Sequence, residues 1–279
     1  MTSQGKAHAG GPGDDTASDP PSFDVSVAHQ ARIYDYLLGG KDNYAADRKA
    51  AEQAIAACPS VATGARANRQ FLARAARHLA GEAGIRQFLD IGTGIPTANN
   101  THEVAQSVSP DCRVVYVDYD PIVLIHARAL LASTDAGLID YLDADLRDGE
   151  SILEQASGTL DFSRPVAIML IAILHAVGDH DEPYQILARL IDALPSGSYL
   201  ALSHPASDID PEKIAEAITR LNQLSRQHFT LRSHEEVLRF FDGLDVLEPG
   251  LVRVEEWRPD SELATRYRSA MWGGVARKP

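Results

Sequence analysis

The sequence has 279 residues, of which 44% are hydrophobic and 23% are charged, and its formal net charge at pH 7 is −13. This length suits one large domain or two small ones with a buried core, whereas the acidic charge argues against a general nucleic-acid binder, which needs a basic face. Two cysteines are too few for a disulfide framework, and no membrane-length apolar run or secretory leader is visible, so a cytoplasmic protein is expected.

The first 80 residues divide into a polar tail and three helices. The tail is rich in Gly, Ser, Asp and Pro and has no hydrophobic period, which predicts disorder. Apolar residues then recur at helical spacing, and the pair Gly39-Gly40 ends the first helix. The predicted segments are a tail at 1–22 and helices at 26–38, 45–57 and 61–80, which together form an N-terminal helical cap over residues 23–80.

From residue 81 to residue 279, short apolar strands alternate with helices. This alternation predicts an α/β core with a parallel sheet and helices on both of its faces. The predicted strands cover residues 86–92, 113–120, 138–145, 165–177 and 197–204, the helices cover 101–108, 121–133, 182–194, 211–224 and 233–241, and late strands are expected within 244–259 and 269–279.

The segment FLDIGTGIP, residues 88–96, places two glycines in the loop after the first predicted strand. In doubly wound sheets, ligands bind beyond the carboxyl ends of the strands, near the point where the strand order reverses. Gly92 and Gly94 allow the backbone to approach a ligand there. However, Thr97 stands where a dinucleotide-binding motif has its third glycine, so the loop is less suited to a diphosphate.

Three aspartates lie at the ends of successive predicted strands. Asp90 would repel a phosphate and accept hydrogen bonds from an ammonium group. Asp118 is placed to hold the two hydroxyls of a ribose, and Asp145 to accept a hydrogen bond from an adenine amino group. One such aspartate alone is more often a helix cap or loop residue, but the ordered set predicts S-adenosylmethionine, which combines ribose, adenine and a cationic tail without a phosphate.

Segments spread over nearly the whole chain resemble a known family. They are similar to class I S-adenosylmethionine-dependent methyltransferases and, more specifically, to a bacterial family once catalogued as a domain of unknown function and later named S-adenosyl methyltransferase. The resemblance implies a doubly wound, Rossmann-like sheet, mostly parallel with an antiparallel late strand, and S-adenosylmethionine as the cofactor, with S-adenosylhomocysteine as its product. The segments are ARIYDYLLGGKDNYAADR, FLDIGTGIPT, NTHEVAQ, VVYVDYDPIVLIHARALL, DADLRD, PVAIMLIAILHAV, YLALSH, FDGL, EPGLV and WRP.

The resemblance also implies a role for individual residues around this cofactor. They are Asp90, Gly92 and Gly94 at the methionine side, Asp118 at the ribose, Tyr119 and Asp120 flanking the adenine, Asp145 and Leu146 at the adenine edge, and Ile171, Ala172 and His175 at the sulfonium side.

The N-terminal segment RIYDYLLGGKDNY has two interpretations. It predicts a lid that closes on the cofactor, in which Tyr34 or Tyr36 faces the cofactor and Lys41 meets a carboxylate. The alternative is a helical cap packed on the core, with the tyrosines as part of an amphipathic surface.

A methyltransferase needs a base only when the acceptor must lose a proton. His175, after the apolar fourth strand, is the leading candidate for this base, and His204 is the second. A buried or capping role is the alternative for both histidines. The acidic run DHDE at residues 179–182 is expected to cap the next helix rather than to bind a metal.

The sequence therefore predicts a methyltransferase that acts on an oxygen or nitrogen of a small molecule. The D/N-P-P-Y motif of enzymes that methylate amino groups of nucleic acids is absent, and so is a Pro-Cys nucleophile. Two alternatives stay open: a non-catalytic module that binds S-adenosylmethionine, and a nicotinamide-dependent oxidoreductase, which the missing third glycine and Asp90 disfavour.

Overall fold

The computed structural model describes residues 24–131, 139–261, 265 and 268–279. The predicted disordered tail, residues 1–22, lies outside the described residues. Nine α-helices and eight strands occur within the described part of the chain. The helices are α1 (Gln30–Leu38), α2 (Ala45–Ala57), α3 (Ser60–Gly81), α4 (Thr101–Val108), α5 (Pro121–Leu131), α6 (Gly149–Ala156), α7 (Pro183–Asp192), α8 (Pro211–Leu224) and α9 (His234–Leu238). The strands are β1 (Gln87–Ile91), β2 (Arg113–Asp118), β3 (Ile139–Asp143), β4 (Ala167–Ile171), β5 (Tyr199–Pro205), β6 (Asp245–Val246), β7 (Val252–Arg253) and β8 (Met271–Arg277).

The strands form one sheet in the order β3-β2-β1-β4-β5-β8-β6, and β7 also pairs with β8. Strands β1 to β5 are parallel, and β8 runs antiparallel to β5. The order reverses between β1 and β4, which places a ligand-binding switch point at the carboxyl ends of these two strands. The structure thus confirms the doubly wound, mostly parallel sheet with an antiparallel late strand.

Helices cover both faces of the sheet, because the central strands are apolar on both sides. On one face, Leu89 of β1 and Val115 of β2 pack in a cluster with α6 and α7. On the other face, the adjacent residues Phe88 and Val114 pack against α3 and α4. This alternation of neighbouring residues between two cores fixes the register of the sheet.

The structure differs from the predicted elements most in three places. The predicted strand at 165–177 ends at Ile171, because Ala172 adopts a left-handed φ of 55° and a 3-10 helix, Leu174–Ala176, follows. Helix α6 has only eight residues and was not predicted. The late segment 244–259 contains only the two-residue strands β6 and β7.

The turn between α1 and α2 accounts for the double glycine in the N-terminal motif. A Cβ on Gly40 would lie 1.8 Å from Oδ1 of Asp35. The buried carboxylate of Asp35 accepts hydrogen bonds from the backbone N–H of Asp42 (2.9 Å) and from Nδ2 of Asn43 (2.8 Å). The glycine is therefore required by the close approach of a carboxylate that holds the turn together.

A buried ion pair joins α1 to α2. Nε of Arg32 lies 3.2 Å from Oδ1 of Asp47, and both side chains are almost fully buried. Asp47 also accepts hydrogen bonds from the backbone N–H groups of His29 and Tyr44. Helices α1, α2 and α8 then share an apolar cluster with the start of α3, so the N-terminal helices are packed over the carboxyl edge of the sheet.

Gly40→Ala tests this account of the turn. The added methyl group must displace the Asp35 carboxylate and leave its buried hydrogen-bond donors without an acceptor. The free energy of unfolding should therefore fall by about 1–3 kcal/mol. Urea unfolding measures this change. Gly158→Ala is the control, because its Cβ would lie at an ordinary 3.5 Å from the nearest atom. Equal stability of the two variants would contradict the steric role of Gly40.

Candidate cofactor and acceptor site

A cavity opens at the carboxyl edge of the sheet, at the switch point between β1 and β4, under α1 and α3. Its lining has a polar half, which comes from the ends of β1 and β2, and an apolar half, which includes residues of α3 and α8. Asp120, Asp145 and Leu146 lie outside the lining. The predicted site residues that do line the cavity are Tyr34, Asp90, Gly92, Gly94, Asp118, Tyr119, Ile171, Ala172 and His175.

The glycine loop is shaped by two left-handed residues. Gly92 has a φ of 76°, and a Cβ there would lie 2.3 Å from the side chain of Ile173 in the loop after β4. Gly94 has a φ of 66° and faces open space. Its N–H donates to Oδ2 of Asp118 over 2.9 Å. The loop is thus pressed against β4 on one side and leaves room for a ligand on the other.

The path of the chain after this loop explains why a third glycine is not needed. Helix α4 starts only at Thr101, so Thr97 is not at a helix N-terminus. Asn100 and Glu103 form a capping box at the start of α4. Because the capping side chains already occupy these N–H groups and add an acidic residue, the helix is poorly arranged to bind a pyrophosphate.

Asp90 is a buried carboxylate in the cavity wall. The hydroxyl of Thr101 donates to its Oδ2 over 2.6 Å. Burial raises the pKa of Asp90 to about 6, although the hydrogen bond from Thr101 and the charge of Arg69 oppose this shift. Arg69 of α3 also lines the cavity. A carboxylate, Asp90, and a positively charged guanidinium, Arg69, therefore face the same polar half of the cavity.

Asp118 ends β2 and holds two backbone N–H groups. Its Oδ2 accepts from Gly94, and its Oδ1 accepts from Asp120 over 3.0 Å. Burial raises the pKa of Asp118 despite these hydrogen bonds. Because each carboxylate oxygen has a second lone pair, Asp118 can still accept hydrogen bonds from a ligand.

The next two residues have different environments. Tyr119 is 42% exposed, and its hydroxyl accepts a hydrogen bond from the side-chain amide of Gln227. Asp120 is buried and pairs with His29, with Oδ2 and Nδ1 separated by 2.6 Å. Burial alone would raise the pKa of Asp120, but the hydrogen bond and charge of His29 outweigh it, and the pKa is lowered. Asp120 thus anchors the start of α1 to the end of β2.

The two residues predicted at the adenine edge lie outside the cavity lining. Asp145 accepts two hydrogen bonds of 2.9 Å from Arg147, one from its backbone and one from its guanidinium. Leu146 is buried in the core under α6 and α7. Their contact with adenine stays a prediction.

A chain of buried hydrogen bonds connects the N-terminal helices to the end of β4. The Tyr34 hydroxyl accepts from Nδ2 of Asn68 (3.0 Å), whose Oδ1 accepts from the hydroxyl of Ser203 (2.6 Å). Ser203 in turn accepts from the N–H of Ala172 over 3.0 Å. Nε2 of Gln30 donates to the carbonyl of the same Ala172 over 3.3 Å. The left-handed turn at Ala172 is therefore held from both sides.

His175 lies in the 3-10 helix after β4 and lines the cavity. Its ring stacks on Phe229, with centroids 5.1 Å apart, and its Nδ1 is buried without a hydrogen-bond partner. Burial and the nearby charge of Arg232 lower the pKa of His175 to about 3. The ring is neutral at neutral pH and is a weak base, so it is better suited to hydrogen bonding than to taking up a proton.

His204, the second candidate base, is occupied by the protein. Its Nδ1 is 2.8 Å from the carbonyl of Pro205, and its Nε2 is 2.9 Å from Nη1 of Arg232. Because arginine only donates, Nε2 accepts and Nδ1 donates. His204 also lies outside the cavity lining, and it has the buried structural role that was the alternative.

The acidic run at 179–182 supplies the N-cap residue of α7, Glu182, as predicted, but no side chain of the run caps the helix by a hydrogen bond. Asp179 instead pairs with Arg232 over 2.6 Å, and Asp181 pairs with Arg147 over 3.1 Å. Residue Glu182 precedes α7 without a side-chain cap hydrogen bond. Within the described ranges, no group of three or more His, Cys, Asp or Glu side chains is arranged to hold a metal ion.

Two residues of the predicted lid are not at the cavity. The hydroxyl of Tyr36 donates to Glu52 of α2 over 3.0 Å. Lys41 is exposed and is absent from the ion pairs of the described residues.

Sequence reasoning missed Gln30, Arg69 and Phe229, which line the cavity from α1, α3 and the segment after α8. None of the described helices combines the length and apolar character needed to cross a bilayer.

Comparisons with known proteins identify the family to which the chain belongs. The family model described as S-adenosyl methyltransferase matches residues 16–279. The chain is similar to a DUF574 family protein from Streptomyces avermitilis MA-4680, with 49% identity, a TM-score of 0.87 and coverage of 91% of this chain and 99% of that one. It is also similar to a proposed methyltransferase from Thermobifida fusca YX, with 41% identity, a TM-score of 0.86 and coverage of 94% and 99%. No curated protein matches it.

Asp90→Asn tests the buried carboxylate. The pKa of Asp90 is about 6 in the folded protein, against 3.8 in the unfolded chain. The folded state therefore holds the proton more tightly, and the free energy of unfolding falls as the pH rises between these values, by at most about 3 kcal/mol. Because the variant lacks this loss, it should unfold at a higher temperature than the wild type at pH 7.5 without ligand.

Thermal unfolding between pH 4 and pH 7.5 measures this difference. Asp111→Asn is the control, because Asp111 is exposed and its pKa is lowered, chiefly by the hydrogen bond from Ser109. The stability of the Asp111→Asn variant should change with pH as that of the wild type does between pH 4 and pH 7.5. An Asp90→Asn variant that also follows the wild-type trend would show that the carboxylate is not buried as described.

Proposed function

Because the chain belongs to the S-adenosyl methyltransferase family, with S-adenosylmethionine as its cofactor, we propose that it methylates an oxygen or nitrogen of a small molecule. The observation that carries this proposal is the pair of buried carboxylates, Asp90 and Asp118, beside an open glycine loop in a cavity closed by helices. An acceptor must enter beneath α1 and α3, which favours a small molecule over a polymer.

The side chains in the polar half match the charged and polar groups of the cofactor. We assign Asp90 to the ammonium group, because a carboxylate stabilises a cation in a buried site. We assign Arg69 to the cofactor carboxylate, since a guanidinium binds this group with paired hydrogen bonds. Asp118 is assigned to the ribose hydroxyls, and the exposed ring of Tyr119 to one face of the adenine. The open space at Gly94 supports this placement.

When bound, S-adenosylmethionine supplies an electrophilic methyl group on a positively charged sulfur. The protein has to align the acceptor and exclude water. Ala172 and Ile171 are proposed to lie beside the reacting groups, and the hydrogen bonds from Gln30 and Ser203 keep this turn in place. His175 is proposed to orient the acceptor by a hydrogen bond, because its low pKa makes it a poor proton acceptor. The proton that a hydroxyl or N–H acceptor loses on methylation is therefore released to water, and the thioether product leaves with the electron pair of the broken carbon–sulfur bond.

Two other functions make different predictions. A non-catalytic module would bind S-adenosylmethionine without transferring its methyl group, whereas a methyltransferase also needs room for an acceptor, and the apolar half of the cavity beside His175 supplies that room. A nicotinamide-dependent oxidoreductase would place a pyrophosphate near Asp90 and Asp118, which repel it.

Calorimetry with two ligands tests the assignments in the polar half. S-adenosylhomocysteine carries the amino-acid group, and 5′-methylthioadenosine lacks it. Asp118→Ala should weaken both ligands about tenfold or more, because it removes charge-assisted hydrogen bonds to the ribose. Arg69→Gln and Asp90→Asn should weaken S-adenosylhomocysteine alone. Glu52→Gln, on the outer side of α2, is the control. Equal losses for both ligands in the Arg69 variant would contradict its assignment.

Transfer of a labelled methyl group tests the reaction itself. The protein is incubated with S-adenosylmethionine carrying a radioactive methyl group and a metabolite extract, and the products are separated by size. Label should appear in the small-molecule fraction, bonded to oxygen or nitrogen. Heat-treated protein is the control. Label in protein or nucleic acid would contradict the acceptor class, and bound cofactor without any transfer would favour the non-catalytic module.

A further inference from the structure

The apolar half of the cavity has a defined composition. Six of its side chains, from α1, α3, α8 and the segment after α8, belong to one apolar cluster. We call this half the acceptor chamber. It is formed by Leu37, Val61, Ile214, Ile218, Leu221 and Phe229.

The acceptor chamber carries no charge. Among the described lining residues, the Asp, Arg and ion-paired His side chains, namely Asp90, Asp118, Arg69 and His29, all belong to the polar half. Transfer of a charged group into an apolar site without a partner is strongly unfavourable. An acceptor with a carboxylate, phosphate or ammonium group in the chamber would therefore be excluded.

Two residues of the cavity lining, Gln30 and His175, each carry one buried polar atom without a hydrogen-bond partner. One is Oε1 of Gln30, and the other is Nδ1 of His175. The Gln30 amide is held in place because its Nε2 donates to Ala172. The His175 ring is held by stacking on Phe229, a chamber residue. Oε1 of Gln30 can only accept a hydrogen bond, so a ligand that satisfies it must bring a donor.

We propose that the methyl acceptor is an uncharged, mainly apolar molecule whose hydroxyl or N–H group donates a hydrogen bond to Oε1 of Gln30 while its body fills the acceptor chamber. This inference rests on the proposed function and narrows its substrate class. The donor group is held beside Ala172, at the end of β4, where the cofactor's reacting carbon is assigned. Gln30 and His175 are then positioning residues that fix the orientation of the acceptor.

Three probes of similar size test this proposal by calorimetry at pH 7 on protein saturated with S-adenosylhomocysteine. They are 2-naphthol, which is uncharged and has a donor, 2-methoxynaphthalene, which lacks the donor, and 2-naphthoate, which is charged. We expect 2-naphthol to bind with one-to-one stoichiometry. The other two should bind about tenfold more weakly, the difference expected for a lost buried hydrogen bond or an unpaired charge.

Variants separate the two parts of the proposal. Gln30→Leu should reduce the affinity for 2-naphthol to that for 2-methoxynaphthalene. Ile218→Trp should block all three probes, because the indole fills the chamber. Thr219→Trp, one residue further along α8 and exposed, is the matched control and should bind 2-naphthol as the wild type does. Val61→Trp fills the chamber from α3 and provides a second test if Ile218→Trp does not fold.

The outcomes distinguish this inference from the proposed function. Tight binding of 2-naphthoate, equal binding of the two uncharged probes, or unchanged binding in folded Ile218→Trp would overturn the inference. Absence of any probe binding while S-adenosylhomocysteine still binds would overturn it as well and leave the cofactor site intact. Loss of S-adenosylhomocysteine binding in the wild type would instead remove the proposed function.

Discussion

The site depends on two carboxylates that are held inside the protein at the ends of neighbouring strands. Neither Asp90 nor Asp118 forms an ion pair among the described residues, and burial raises the pKa of both. The protein thus keeps an electrostatically unfavourable arrangement at its switch point. A ligand with an ammonium and a sulfonium relieves it, whereas a diphosphate makes it worse. This constraint favours the proposed assignment of a cationic adenosyl ligand to the loop with two glycines.

The N-terminal helices close one side of the cavity, and an ion pair and hydrogen bonds fix them to the strand ends of the sheet. His29 pairs with Asp120 at the end of β2, and Gln30 bonds to Ala172 at the end of β4. Tyr34 reaches the same turn through Asn68 and Ser203. The double-glycine motif shapes the turn that leads to α2. Of its tyrosines, Tyr34 belongs to the buried network, whereas Tyr36 bonds to Glu52 of α2. These contacts hold the N-terminal helices over the strand ends to which the ligand is assigned.

Much of this architecture follows from the sequence, because apolar runs bounded by glycine and aspartate locate strands β1 to β5. The end of β4 could not be predicted, since the apolar run continues through Ile173 and Leu174 although the chain turns at Ala172. The arginines of α3 look alike in sequence, and only the packing of α3 shows that Arg69 faces the cavity while Arg74 bonds to the carbonyls of Val254 and Trp257.

The partners of the predicted acids were equally hidden. The strand-end pattern identified Asp118 as a cavity residue, but it gave no sign that Asp145 bonds to Arg147 or that Asp179 bonds to Arg232. These pairs join segments that are far apart in the chain or lie in irregular loops, where periodicity carries no information. The histidines show the same limit. Only the structure shows that both ring nitrogens of His204 are hydrogen-bonded within the protein, whereas Nδ1 of His175 has no partner.

The most direct test of the central claim is the affinity for S-adenosylmethionine between pH 7.5 and pH 5, measured by calorimetry beside that for 5′-methylthioadenosine. In the proposed assignment, the ionised Asp90 accepts hydrogen bonds from the ammonium group of the cofactor, and the pKa of Asp90 without ligand is about 6. The affinity for S-adenosylmethionine should therefore fall below this pH relative to that for 5′-methylthioadenosine, approaching about tenfold per pH unit, because both ligands use Asp118 but only the first carries the ammonium group. Parallel pH profiles for the two ligands would contradict the account.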